Sequence, residues 1–189
     1  MSMNNKNFET KSAFVAIVGR PNVGKSSLLN ALIGEKVAAV SAKPQTTRTR
    51  ITGILTKGLT QFVFIDTPGL HKPKTLLGEY MMKSVGNVAD SSDIVLFVVE
   101  AGTEINPNEK AALDKYQAMG IDVILIINKT DRANKVKLAQ QISELSSQYK
   151  FHAVIPISAL NGDGVEYIFE ELEPLMAESI HFFPEDYIT

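Results

Sequence analysis

One eight-residue run constrains this chain more than any other feature: Gly19-Arg20-Pro21-Asn22-Val23-Gly24-Lys25-Ser26. It follows the apolar pentad FVAIV at 14–18 and precedes a stretch with helical apolar spacing at 25–33. Strand, glycine-rich turn and helix in that order fit the pattern G-x-x-x-x-G-K-S. Glycines let successive backbone N–H groups turn inward, and the start of the following helix adds partial positive charge. The run therefore reads as a cradle for phosphate groups, built from the backbone of Gly19 through Ser27. Lys25 is placed to reach β- and γ-phosphates, and the Ser26 hydroxyl to ligate Mg²⁺.

Five further apolar runs, at 51–56, 61–65, 94–99, 123–127 and 153–157, are short and mostly continuous rather than alternating. That is the signature of strands buried on both faces. Helical patterns occupy 25–33, 75–88, 106–119, 135–148 and 165–177, and Asn106-Pro107 reads as an N-cap followed by proline at the first helical position. Alternation of this kind predicts an α/β fold in three layers: a six-stranded, mostly parallel sheet with one antiparallel strand towards an edge and helices on both faces. Ligands of such sheets bind beyond the carboxyl ends of the strands. With 189 residues there is room for one such domain, expected at 13–180, behind a disordered arm at 1–12. The tail HFFPEDYIT at 181–189 reads as the start of a linker. A net charge of −2 argues against a polybasic nucleic-acid clamp, and no cysteine is present to build a disulfide framework. No apolar run approaches the roughly 20 residues that span a bilayer.

The loops beyond the strand ends carry the chemistry. The run at 61–65 leads into Asp66-Thr67-Pro68-Gly69, a D-x-x-G pattern placed 41 residues after Lys25. A carboxylate there can hold Mg²⁺ through water, and Gly69 can offer its N–H to a γ-phosphate with no Cβ in the way. Taken alone, the same four residues make an ordinary turn. The run at 123–127 leads into Asn128-Lys129-Thr130-Asp131, an N-K-x-D pattern. Asp131 can accept from N1–H and from the exocyclic amino group of guanine, and adenine offers neither donor. Lys129 can lay its aliphatic stem over base and ribose, while Asn128 can tie this loop to the phosphate loop. The last run leads into Ser158-Ala159-Leu160, whose backbone can touch guanine O6.

With these residues in place the sequence resembles the translation-factor-related GTPases, and among them the Era family of bacterial GTPases. The resemblance spans 12–189 and rests on GRPNVGKSSLLNALIG at 19–34, PQTTR at 44–48, DTPGLHKPK at 66–74, NKTD at 128–131 and PISAL at 156–160. PQTTR and DTPGLHKPK set it apart from tandem-GTPase and tRNA-modifying relatives. The resemblance implies GTP hydrolysis to GDP and phosphate, with Lys25, Thr47 and Gly69 as catalytic groups and Ser26, Thr47 and Asp66 around Mg²⁺. Thr46 is the alternative to Thr47. It also implies a role in assembly of the 30S subunit, binding of 16S rRNA, a cytoplasmic location with partial peripheral association at the inner membrane, and a monomer. In that family a C-terminal KH domain grips the RNA, and no such domain lies within these 189 residues.

Leu70 occupies the position where many small GTPases carry a glutamine that orients the attacking water, and leucine cannot hydrogen-bond water. Some members of the resembling subgroup use potassium held by the asparagine that matches Asn22. Asn22 thus reads either as a K⁺ ligand or as a stabiliser of the loop turn. Intrinsic turnover is expected to be slow, on the order of 10⁻⁴ to 10⁻² per second without a partner. His71-Lys72-Pro73-Lys74 reads either as a solvated loop or as a nucleotide-dependent contact. Two functions compete: an enzyme that switches on hydrolysis, and a nucleotide-responsive scaffold that docks on the ribosome with negligible hydrolysis.

Overall fold

The computed structural model describes residues 10–34, 51–66 and 92–183. Its sheet runs in the order β2-β3-β1-β4-β5-β6, with β1 Lys11–Val18, β2 Ile51–Lys57, β3 Thr60–Asp66, β4 Ile94–Glu100, β5 Asp122–Asn128 and β6 Ala153–Pro156. Along this order the neighbours pair in parallel except the hairpin of β2 and β3. The helices are α1 Lys25–Ile33, α2 Pro107–Met119, α3 Lys135–Gln148 and α4 Glu166–Leu172.

Strand side chains alternate between faces, and here both faces are apolar, so the sheet has a core on each side. Val15, Ile17, Leu96, Val98, Ile124 and Ile126 pack with Leu28 and Leu32 of α1 and Ile168 and Leu172 of α4. The intervening residues Ala16, Val18, Val95, Phe97, Val99, Leu125 and Ile127 pack with Leu113 and Tyr116 of α2 and Leu145 of α3. This is the three-layer arrangement the continuous apolar runs predict. Leu125 lies fully buried in the second core. Leu125→Ala should therefore cost about 2–5 kcal/mol of stability through lost transfer energy and a residual cavity. Urea unfolding of the purified variant checks this, with the slope expected to stay unchanged.

The structure departs from the sequence reading at both chain ends. β1 begins at Lys11, inside the stretch read as an arm, because polar strand residues escape an apolar template. The helix expected at 165–177 stops at Leu172. Pro174 has no N–H for the next helical bond, and a 3₁₀ turn, Glu173–Leu175, replaces it. A short seventh strand comes next: β7, Ala177–Glu178, pairs antiparallel with Ser12 and Lys11. β4 pairs with β1 only from Val15 to Val18, so the first residues of β1 need other partners on that side. β7 supplies them, extended by Ser179 N–H to Thr10 O (2.8 Å) and by the Ser12 hydroxyl to Ile180 O (3.0 Å).

The residues read as a linker start continue this contact. Phe182 stacks on Phe14 with ring centroids 4.7 Å apart. The fully buried Gln61 side chain donates to Phe183 O (2.9 Å) and accepts from Phe183 N (3.0 Å). The expected helix at 75–88 lies outside the described residues, as do Thr46, Thr47, Thr67, Pro68, Gly69, Leu70 and the 71–74 cluster.

Candidate nucleotide site

Register brings the motif-bearing strand ends to one rim of the sheet. Asp66, last in β3, lies opposite Ile17, two residues before Gly19. Glu100, last in β4, lies opposite Asn128, last in β5, and Pro156, last in β6, opposite Ile127. The phosphate loop, the strand end at Asp66, the N-K-x-D loop and the 158–160 loop therefore leave the sheet along the same rim.

The phosphate loop has the backbone its sequence demands. Gly24 stands at the N-cap of α1 with φ 98°, and a Cβ there would fall on the side-chain amide nitrogen of Asn128. Gly19 is equally constrained, since a Cβ would overlap the carbonyl oxygen of Val98. Asn22 adopts φ 63°, a left-handed conformation asparagine tolerates better than most residues. That geometry gives Asn22 a place in the turn whether or not it also meets a cation. Pro21 is half-buried, and Val23 between Asn22 and Gly24 is buried in the core, which anchors the loop from beneath. No acidic residue lies in the first turn of α1, and Gly24 brings no capping side chain. The positive end of the helix thus faces the loop without a side-chain anion, which favours a phosphate. The Lys25 ammonium donates to Gly19 O and Arg20 O, both at 2.9 Å, which closes the loop around its own lysine. Ser26 and Ser27 are both exposed on the first turn.

Asn128 is the knot of the site. Buried at the end of β5, it donates from Nδ2 to Val23 O (2.8 Å) and accepts at Oδ1 from Ala159 N (3.0 Å). One side chain thereby ties the phosphate loop, the base-reading loop and the 158–160 loop together. The sequence reading expected the first of these ties. The second occupies the Ala159 N–H, and Leu160 beside it stands exposed. Ser158 has a role the sequence reading missed: its buried hydroxyl donates to Asp131 Oδ1 (2.8 Å) and fixes that carboxylate. The other oxygen, Oδ2, is 3.5 Å from Arg132 Nε, on a largely exposed side chain. Thr130 N–H donates to Ile157 O (3.1 Å), which locks the two loops at backbone level.

Three further contacts at the rim were not legible in advance. Lys129, in left-handed backbone with φ 69°, places its ammonium 2.9 Å from Glu100 Oε2. The Arg20 guanidinium turns away from its loop, donates to Thr103 Oγ1 (2.8 Å) and lies 3.9 Å from Glu109 Oε1. Glu109 is buried and completes the capping box of α2, with Oε2 accepting from Asn106 N (2.8 Å) and Asn106 Oδ1 accepting from Glu109 N (2.9 Å). A polar residue within or closing an apolar stretch, as Glu100 closes β4, is the one signal that could have singled out such a group.

The donor set suits Mg²⁺, a hard cation that takes oxygen ligands and keeps several waters. Ser26 closes the phosphate loop in the first turn of α1, and Asp66 ends β3, the strand paired with β1 just before that loop. Among the described residues no group of three or more His, Cys, Asp and Glu could hold a metal by itself.

Residues 14–129 match the family model described as 50S ribosome-binding GTPase. A point variant of Era from Aquifex aeolicus, solved bound to GDP and AlF4−, is 34% identical, with TM-score 0.81 over 95% of this chain and 62% of that one. Era in complex with MgGDPNP and nucleotides 1506–1542 of 16S ribosomal RNA is also 34% identical at TM-score 0.81, over 95% of this chain and 61% of that one. The FeoB G-domain from Methanococcus jannaschii, 23% identical with TM-score 0.63 over 88% of this chain and 98% of that one, shares the fold. The chain spans about three fifths of the length of the Era structures it matches. Phosphate loop, base-reading loop and family match coincide, and the chain belongs to the 50S ribosome-binding GTPase family as a GTPase domain of the Era type.

Proposed function

We propose that this chain is a slow, magnesium-dependent GTP switch acting in small ribosomal subunit assembly. The observation that carries the nucleotide assignment is the double tie at Asn128 together with the Ser158–Asp131 bond. These bonds hold a phosphate cradle and a fixed carboxylate on one rim. Asp131 reads N1–H and the amino group of guanine, the Lys129 stem covers the base, and the Ser158–Leu160 loop borders O6. Lys25 leaves the loop carbonyls for the β- and γ-phosphates. Ser26, Thr47 and Asp66 would hold Mg²⁺, which would supply positive charge against that developing on the phosphate oxygens. Gly69 offers its N–H to the γ-phosphate.

An Era structure holding MgGDPNP and a 16S rRNA segment supports the assignment of RNA and the small subunit as partners. RNA contact is assigned mainly to a KH domain outside these residues. The proposed setting is a cytoplasmic monomer that associates in part with the inner face of the cell membrane.

Hydrolysis of GTP and of ATP by the 189-residue chain with Mg²⁺, run in parallel in potassium and in sodium, tests the reading. GTP-only turnover that rises in potassium assigns Asn22 as a cation ligand. Equal GTP-only turnover in both salts leaves Asn22 with its role in the turn. Tight GTP binding without turnover in either salt would favour a nucleotide-responsive scaffold, and turnover of ATP at a comparable rate would overturn the base assignment.

A further inference from the structure

Glu100 is the only charged residue of β4, a strand whose other six residues are all buried and apolar. Its backbone lies in register with Asn128, and Ala101 N–H donates to Asn128 O (2.8 Å). The turn after β4 is pinned from α3. The buried Gln141 side chain donates to Glu100 O (3.1 Å) and Thr103 O (2.7 Å), and accepts from Gly102 N (2.8 Å). Thr103 Oγ1 adds a bond to Glu100 O (2.8 Å). Glu100 therefore projects from a platform with little freedom to drift.

Lys129 approaches from the neighbouring strand end. Its backbone sits in the left-handed region, which a lysine adopts only where the surroundings impose it. Its ammonium ends on Glu100 Oε2 at 2.9 Å, with the two side chains 29% and 35% exposed. The four-carbon stem is thus fixed at both ends, two residues from Asp131. An exposed lysine left to itself samples many rotamers, and a ligand that packs on its stem must stop that motion.

We propose that Glu100 is a positioning residue for nucleotide binding: its carboxylate holds the Lys129 stem in place as one wall of the base site before the nucleotide arrives. The proposal rests on the guanine-nucleotide reading above. A half-exposed ion pair by itself contributes little. What sets this one apart is that both partners are fixed at backbone level, so the pair costs little ordering on binding.

The test is the dissociation rate of fluorescent mant-GDP and mant-GTP from the 189-residue chain with Mg²⁺. Wild type, Glu100→Gln, Lys129→Met and the double variant are compared. Glu100→Gln should release both nucleotides faster by one common factor of about two to five. Lys129→Met keeps an apolar stem but lacks the ammonium, and in its background Glu100→Gln should have no further effect. The melting temperature of the nucleotide-free chain should be the same for wild type and Glu100→Gln. Unchanged release from Glu100→Gln, an equal increment in the Lys129→Met background, or a shift confined to GTP would each overturn the proposal. Wild type that fails to retain mant-GDP would overturn the guanine-nucleotide reading itself. That result is distinct from tight wild-type binding that Glu100→Gln leaves untouched.

Discussion

Asp131→Asn is expected to lower GTP affinity by about two to four orders of magnitude and to raise affinity for xanthosine triphosphate by a comparable factor. The carboxylate is held by Ser158, whose hydroxyl donates to Oδ1, while Oδ2 lies 3.5 Å from the largely exposed Arg132. In the variant the amide oxygen keeps the Ser158 bond and the amide nitrogen takes the place of Oδ2. A donor then faces the exocyclic amino group of guanine, where an acceptor stood. Hydrogen bonds to a charged group contribute roughly 1.5–3 kcal/mol each, and two are altered, which sets the expected range. Xanthine carries a carbonyl oxygen at the same position, so the new donor finds an acceptor. Arg132 can turn to water at little cost, and the stability of the nucleotide-free chain should change by less than about 1 kcal/mol. Titration calorimetry with GTP and XTP measures both affinities. Full GTP affinity in the variant would show that Asp131 does not read the base.

How far the sequence carried this site depends on how local each interaction is. The phosphate loop was legible because its conformation is written in consecutive residues. Gly19 and Gly24 stand where a Cβ would strike Val98 or Asn128, and Asn22 stands where φ is positive. The buried strands were legible because continuous Val and Ile runs have one common explanation. The tie from Ser158 to Asp131 crosses 27 residues, that from Lys129 to Glu100 crosses 29, and that from Arg20 to Thr103 crosses 83. No local pattern encodes such partners, and serine, glutamate and threonine are common on any surface. The strap from β7 to Phe183 escaped for the same reason: Gln61 and Phe183 are 122 positions apart. A lone glutamine inside the apolar β3 was the available hint. The end of α4 was legible in principle, since Pro174 stood inside a pattern extended through it.

Gly24→Ala should be severely damaging for so small a substitution, because one methyl group acts on fold and site together. Gly24 has φ 98°, where an alanine is strained by roughly 1–2 kcal/mol. Its Cβ would also fall on the Asn128 amide nitrogen. That amide cannot retreat freely, since its side chain is buried and holds Val23 O and Ala159 N at once. Displacing it leaves buried polar groups unpaired, at about 1–3 kcal/mol each. Strain and two unpaired groups together predict a loss of about 3–8 kcal/mol in urea unfolding, at the large end of single-substitution effects and in line with strain and broken polar networks. Nucleotide affinity should fall by at least about 100-fold, since phosphate loop and base-reading loop lose their common tie. Asn128→Ala removes the obstructing amide and the same bonds without straining the loop. If both substitutions act through that tie, the double variant should lose less stability than the two single losses together. Losses that simply add would mean that Gly24 serves the phosphate loop alone, and that the contact with Asn128 does not couple the two halves of the site.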